Sequence, residues 1–255
     1  TLATYQHAAT LPGLSIVGID CHIGSQITEE APYLDALDRM LDLVEALATS
    51  GIALEHIDFG GGLGIQYQAE EPPRADALWA KLLQKIDARG LQNHTLMIEP
   101  GRSLVGNAGV CLTEVLFMKP GEQKSFCIVD AAMNDLVRPA MYEAWMAIEP
   151  CRSRDSTPTT WDVVGPVCES GDWLGRDRAL AVAEGDVLAI LSAGAYGMSM
   201  SSRYNAQPLP AEVLVAGTGP AVVLLHGSAD RPAAWRGSTT AASGSASRSV
   251  MPRGS

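Results

Sequence analysis

LEHIDFGGGLG, residues 54 to 64, is an apolar run that ends in an acid and then in a cluster of glycines. Two other segments share that plan: LSIVGIDCHIGS at 14 to 25 and TLMIEPGR at 95 to 102. Between the first two, Leu34, Leu37, Leu41, Val44 and Leu47 recur at helical spacing, and Gly51 supplies a C-terminal stop. Between the second and third, Leu78, Leu82, Leu83 and Ile86 predict another helix, ending near Gly90, with those four residues inward. Strand, helix, strand, helix, strand is the pattern of parallel β/α units, whose ligands sit beyond the C-terminal ends of the strands. The polar tips are therefore expected on one rim.

After Arg102 the texture changes. GVCLTEVLFMK (109 to 119), SFCIVDAA (125 to 132), WDVVGPVCE (161 to 169) and GDVLAILSAGAYG (185 to 197) read as strands without helices between them, hence as a mostly antiparallel β domain. From about residue 216 the character changes again, and 237 to 255 is small, polar and low in complexity, a composition expected to stay disordered. The fold class is α/β plus all-β. Its boundaries are 1–104 for the β/α part, 105–215 for the β domain and 216–255 for an atypical tail.

A net charge of -11 argues against nucleic acid and against an anionic membrane surface, since both demand basic patches. No apolar run nears the roughly 20 residues of a membrane span, so the cytoplasm is the expected location. Five cysteines without a CxxC pair, and five scattered histidines, indicate neither a disulfide framework nor a metal.

On the rim, the glycines of FGGGLG let backbone N–H groups approach an anion, and phosphate is the usual occupant. Taken alone, the motif suits a tight turn packed on a helix equally well. His22 could be a core histidine, and Glu99 and Arg102 a salt-bridged pair. On consecutive strand tips, however, these groups together fit a phosphorylated aromatic cofactor. Glycines, Ser25 and Arg102 would hold its phosphate, His22 its ring face and Glu99 a ring nitrogen.

HIGSQI, DFGGGLG, EPGRSLVGNAG, DAAMNDLVRPAMY, GPVCESGD and SAGAYGMSMSSRYN stand in an order that resembles the diaminopimelate decarboxylases. These are pyridoxal-phosphate-dependent enzymes of alanine-racemase-like fold type III, and the likeness covers roughly residues 1 to 215. The resemblance implies the C-terminal part of a (β/α)8 TIM barrel followed by a β-sandwich or β-barrel domain. It also implies a homodimer with shared active sites, and decarboxylation of meso-2,6-diaminopimelate to L-lysine and carbon dioxide in lysine biosynthesis.

The same resemblance assigns roles. His22 stacks on the pyridoxal ring; Ser25, Gly60, Gly61, Gly62 and Gly101 line its phosphate side; Glu99 pairs with the ring nitrogen. Arg102 serves phosphate and substrate, Arg138, Tyr142 and Glu169 meet the far end of the substrate, and Tyr196 touches both cofactor and substrate. Cys168, reaching in from the partner subunit, is the proton donor. Its position before Glu169 and near Asp172 predicts a thiol that keeps its proton, because a thiolate would be repelled. The cation of Arg138 and the anion of Glu169 suit the doubly charged end of diaminopimelate better than the single ammonium of ornithine or lysine.

Two departures from the family are expected to matter. The lysine that forms its Schiff base stands in a Tyr-Ala-x-Lys context, and none of Lys81, Lys85, Lys119 and Lys124 does. The chain is therefore expected to be a fragment with very weak turnover, whose three barrel strands leave open edges. Past Val215, GTGPAVVLLHGSADRPAAWRG resembles the opening of an α/β-hydrolase without its Gly-x-Ser-x-Gly elbow, so His226 is given no role. Alternatives are a non-catalytic relative that binds partners, an ornithine- or arginine-type decarboxylase, and a racemase.

Overall fold

A computed structural model of the protein describes residues 1–217 and 219–224. The chain divides into two compact units, Thr1–Pro210 and one that begins at Ala211.

The first unit opens with helix α1 (Leu2–Ala8), followed by β1 (Gly18–Asp20), α2 (Ala31–Thr49), β2 (His56–Asp58), α3 (Ala75–Ala88) and β3 (Thr95–Met97). The three strands form a parallel sheet in the order β1, β2, β3, with Gly18 opposite His56 and His56 opposite Thr95. Parallel strands need crossovers, and α2 and α3 supply them. Leu37, Leu41 and Leu47 of α2 are fully buried and share one core with Ile57 of β2 and Leu78, Leu82 and Ile86 of α3. Each such side chain contributes roughly 1.5–3 kcal/mol by leaving water.

Leu83, expected inward, is instead exposed. On a helix it lies about 100° round from Leu82, whereas 78, 82 and 86 share one stripe. Gly51 and Gly90 follow α2 and α3 with φ of +80° and +71°, the left-handed conformation that ends a helix. Along the outer faces Lys81 pairs with Glu30, Lys85 with Asp38, and Arg89 with Asp42. Helix α1 had no periodic signature; its Tyr5 hydroxyl donates to the Gly18 carbonyl at 3.1 Å, on the outer strand of the sheet. No helix among the described residues is long and apolar enough to cross a membrane.

The short α4 (Arg102–Val105) leads into the β domain: β4 (Cys111–Lys119), β5 (Phe126–Val129), α5 (Arg138–Tyr142), β6 (Ile148–Pro150), β7 (Thr159–Val164), β8 (Trp173–Leu180) and β9 (Val187–Ile190). One six-stranded sheet runs in the order β6, β9, β4, β5, β7, β8, with only β5 and β7 parallel. Cys127, Val129, Val163, Leu174, Leu188 and Ile190 are buried in its core. Three corrections follow. The strand expected over 161 to 169 stops at Val164, and GPVCESGD is the loop to β8. β8 itself was hidden by the charges of WLGRDRAL. RPAMY forms a helix where none was expected, with Pro139 in its first turn, a position where the missing N–H costs nothing.

In the second unit β10 (Glu212–Ala216) pairs antiparallel with β11 (Gly219–Leu224). The first residues of the expected tail are thus strand. His226 and the polar stretch to 255 lie outside the described residues.

Candidate functional site

The tips of the three parallel strands meet. His22, just past β1, accepts the Gly61 N–H on Nδ1 at 3.2 Å. The Gly60 N–H goes to Asp58 Oδ1 at 2.9 Å, and the Gly60 carbonyl takes the Glu99 N–H at 2.8 Å. The glycines are required by this crowding. Gly60 has φ of +64°, and a Cβ there would lie 2.7 Å from the Cys21 carbonyl oxygen. A Cβ on Gly61 would collide with the Glu99 carbonyl, and one on Gly62 with the Gly24 carbonyl. His22, Gly61 and Glu99 therefore share one face, and His22, Ser25 and Glu99 are open to solvent there.

Arg102 is buried, yet it does not pair with Glu99: its Nη2 donates to Ser25 Oγ at 2.8 Å and its Nη1 to the Tyr67 hydroxyl. The alternative of an Arg102–Glu99 salt bridge is thereby removed. Arg138, from α5, is buried too and makes no ion pair among the described residues. Its guanidinium lies 5.7 Å from the Tyr196 ring centre and 5.8 Å from those of Tyr67 and Tyr142. Arg102 lies 5.0 Å from the same Tyr196 ring and 5.8 Å from Tyr67. The Nε atoms of both arginines are buried without a partner among the described residues. Burial pushes the Arg138 guanidinium below its ordinary value, an effect the tyrosine rings only partly offset. Two desolvated cations with no carboxylate bound to either among the described residues have the charge that an anion would match.

Tyr196 reaches both guanidiniums with φ of +58°, a left-handed conformation that an aromatic residue adopts at a cost of about 1–3 kcal/mol. Gly101 faces it: a Cβ there would stand 3.7 Å from the Tyr196 hydroxyl.

Tyr67 was missed by sequence reasoning. Its loop is carried by Gln26, whose Nε2 donates to the Ile65 carbonyl at 2.6 Å while its Oε1 accepts the Ile65 N–H at 3.1 Å. The only available signal was position: Tyr67 follows FGGGLG by three residues, with no motif of its own.

Cys168 and Glu169 stand apart within one chain. Both are exposed, and no hydrogen bond, ion pair or ring contact among the described residues joins them to His22, Glu99, Arg102 or Arg138. Asp172, expected as a second negative neighbour of the thiol, turns inward instead: its carboxylate accepts the Met133 N–H at 2.6 Å and the Val167 N–H at 2.7 Å. Burial holds its carboxyl above the usual range in spite of those amides. Its function is to fold the loop. Glu169 Oε1 accepts the Ser170 hydroxyl at 3.3 Å and the Gly171 N–H at 3.1 Å.

None of the four lysines approaches the strand tips through a bond: Lys81 and Lys85 are engaged on the outer helix faces, Lys124 pairs with Asp162, and Lys119 ends β4. No group of three or more His, Cys, Asp and Glu residues that could hold a metal occurs among the described residues.

Residues 1–106 match the family described as pyridoxal-dependent decarboxylase, pyridoxal binding domain. The diaminopimelate decarboxylase of Pseudomonas aeruginosa is 54% identical over 84% of this chain and 51% of its own length. A crystal structure from Aquifex aeolicus superposes with a TM-score of 0.81 at 44% identity, covering 88% of this chain and 54% of that one. The Helicobacter pylori diaminopimelate decarboxylase in complex with L-lysine gives 0.76 at 37% identity, over 84% of this chain and 53% of the other. The chain spans about half the length of the curated relatives it matches.

Proposed function

The chain belongs to the diaminopimelate decarboxylase family of pyridoxal-dependent decarboxylases, and from that premise we propose that it is part of an enzyme converting meso-2,6-diaminopimelate to L-lysine and carbon dioxide. The observation that carries this reading is the pair of buried guanidiniums, without a carboxylate partner among the described residues, beside a glycine turn packed too closely on the neighbouring strand tips for any side chain.

The residues present fit pyridoxal 5'-phosphate. Ser25 and Arg102 suit its phosphate, the His22 imidazole its ring face and the Glu99 carboxylate its ring nitrogen, whereas the Gly60 and Gly61 N–H groups, expected to face the phosphate, are already given to Asp58 and His22. Bound there, the cofactor supplies an electron sink for the electron pair left when carbon dioxide departs. The Gly61 N–H donates to His22 Nδ1, which orients the imidazole at the strand tips. The Glu99 carboxylate would accept a hydrogen bond from the protonated ring nitrogen and so favour that form. Arg138 and Tyr142 take the distal carboxylate of the substrate, and Tyr196 closes over both ligands.

Cys168 and Glu169 act at the site of a second copy of the chain, Cys168 giving its thiol proton to carbon and Glu169 taking the distal ammonium. The three parallel strands belong to a larger β/α barrel, whose remaining units supply the lysine that anchors the cofactor covalently. Residues 1–255 alone, with Lys81, Lys85 and Lys124 committed to ion pairs and Lys119 at the exposed end of β4, turn over very slowly.

Carbon dioxide release from meso-diaminopimelate is the test, measured with this chain alone and with a polypeptide carrying the remaining β/α units and their lysine. Release on mixing is expected. A tight but inert complex would favour a non-catalytic relative, and faster turnover of ornithine would overturn the substrate.

A further inference from the structure

We propose that Tyr67 is a positioning residue that holds Arg102 and Arg138 as a matched pair of cations and so sets the preference of the site for a ring bearing a phosphate. The proposal rests on the pyridoxal-phosphate reading above and adds to it a residue that no motif singles out.

Tyr67 belongs to a surface loop, yet every part of it is held. Its N–H donates to Glu70 Oε2 at 3.0 Å. The carbonyl of Gln66, one residue earlier, accepts from Asn107 Nδ2 at 3.2 Å, and Asn107 Nδ2 also donates to Ser192 Oγ at 2.8 Å. Ile65, before that, is gripped at both backbone groups by Gln26. A loop fixed at three successive residues, by Gln26 and Asn107 from two distant segments and by Glu70 of the loop itself, delivers the Tyr67 side chain to one place.

At that place Tyr67 meets both cations in different ways. Its hydroxyl oxygen accepts from Arg102 Nη1, and Ser25 Oγ accepts from Nη2, so the guanidinium plane is fixed at two corners. The Tyr67 ring centre lies 5.8 Å from the carbon of the Arg138 guanidinium, a group that has no hydrogen-bond partner among the described residues to orient it and depends on ring faces. Two buried like charges would otherwise turn apart. The phenol therefore decides how the Arg102 donors are aimed, and its ring keeps the second guanidinium alongside.

A structural role alone would change stability without changing which ligand is preferred, so preference is the quantity to read. The probes are pyridoxine 5'-phosphate and pyridoxine, which lack an aldehyde and cannot label surface lysines, titrated calorimetrically into the full chain and its Tyr67→Phe variant. The variant keeps the ring and removes the hydroxyl. The wild type is expected to prefer the phosphorylated probe, and Tyr67→Phe to reduce that preference about tenfold, as loss of an aimed charged donor should, with pyridoxine affinity unchanged. An unchanged preference in Tyr67→Phe would overturn the role of Tyr67 and leave the cofactor reading standing. A wild type with no preference at all would overturn the cofactor reading, and this proposal with it. Should Tyr67→Phe not fold, Asn107→Ala, which frees the loop one residue away, takes its place with the same expected fall. Nitrogen-15 spectra of the arginine side chains give a ligand-free readout: slow rotation of the Arg102 guanidinium is expected in the wild type and not in Tyr67→Phe, and its persistence in the variant counts against the proposal.

Discussion

Gln26 and Ile65, thirty-nine residues apart, hold each other through both ends of one amide: Gln26 Nε2 donates to the Ile65 carbonyl and Gln26 Oε1 accepts the Ile65 N–H. The contact works like a rung of sheet made by a side chain. It extends the short parallel bridge between Ile27 and Leu63, where the Ile27 N–H reaches the Gly62 carbonyl at 2.9 Å. The loop after β2 is thereby tied to the loop after β1.

Gln26→Ala should leave both backbone groups of buried Ile65 without partners. A loss of about 1–3 kcal/mol is expected in urea unfolding, together with weaker binding of pyridoxine 5'-phosphate. Unchanged stability would mean that solvent replaces the amide.

Gly61 and Gly51 should respond differently to alanine. At Gly61 a methyl group strikes the Glu99 carbonyl, so Gly61→Ala should push the tips of β2 and β3 apart and abolish cofactor binding. At Gly51 the space is open and only φ of +80° is at issue, so Gly51→Ala should cost about 1 kcal/mol and leave binding intact. Thermal unfolding and ligand titration on the two variants separate these effects.

Arg138→Met removes a buried charge whose Nε has no partner. Breaking no ion pair and leaving similar volume, it should keep the ligand-free stability or raise it by about 1 kcal/mol or more. In the complete enzyme the same variant should lose affinity for diaminopimelate. A large loss of stability would show that the three tyrosine rings hold the cation firmly by themselves.

Glu70 carries a pH signature. The Gln68 backbone N–H, with that of Tyr67, holds its carboxyl below the usual range. A depressed carboxyl stabilises the fold above its unfolded pKa, near 4.3, and loses that contribution as pH falls through its folded value. The Tm gap between wild type and Glu70→Gln should therefore be present at pH 7 and close as the solution is acidified below about pH 4. A gap independent of pH would mean that the carboxylate is not what holds the Tyr67 loop.

Much of the architecture was legible in local pattern. The stripe through Leu37, Leu41, Val44 and Leu47, the glycines that stop both helices, and the apolar runs ending in polar tips are properties of a few turns of chain, and they specify a parallel β/α arrangement. Where pattern was diluted it misled: the charges of WLGRDRAL concealed β8, and the apolar start of WDVVGPVCE made a loop look like strand. Leu83 shows the same limit at a single position, since hydrophobicity alone cannot say which side of a stripe edge a leucine falls on.

By itself the sequence determined which chemical groups exist and in what order: an imidazole, a glycine turn, a glutamate and an arginine on consecutive strand ends. Only the tertiary structure decided that Arg102 binds Ser25 and Tyr67 rather than Glu99, that Asp172 faces the amides of Met133 and Val167 rather than the thiol, and that Tyr67 stands between two guanidiniums. Apart from the Val167 amide, five positions from Asp172, those outcomes depend on hydrogen bonds and ring contacts between residues 35 to 77 positions apart, and no neighbouring sequence records them. Burial removes competing water, so each polar group takes the partner that the packing brings within reach.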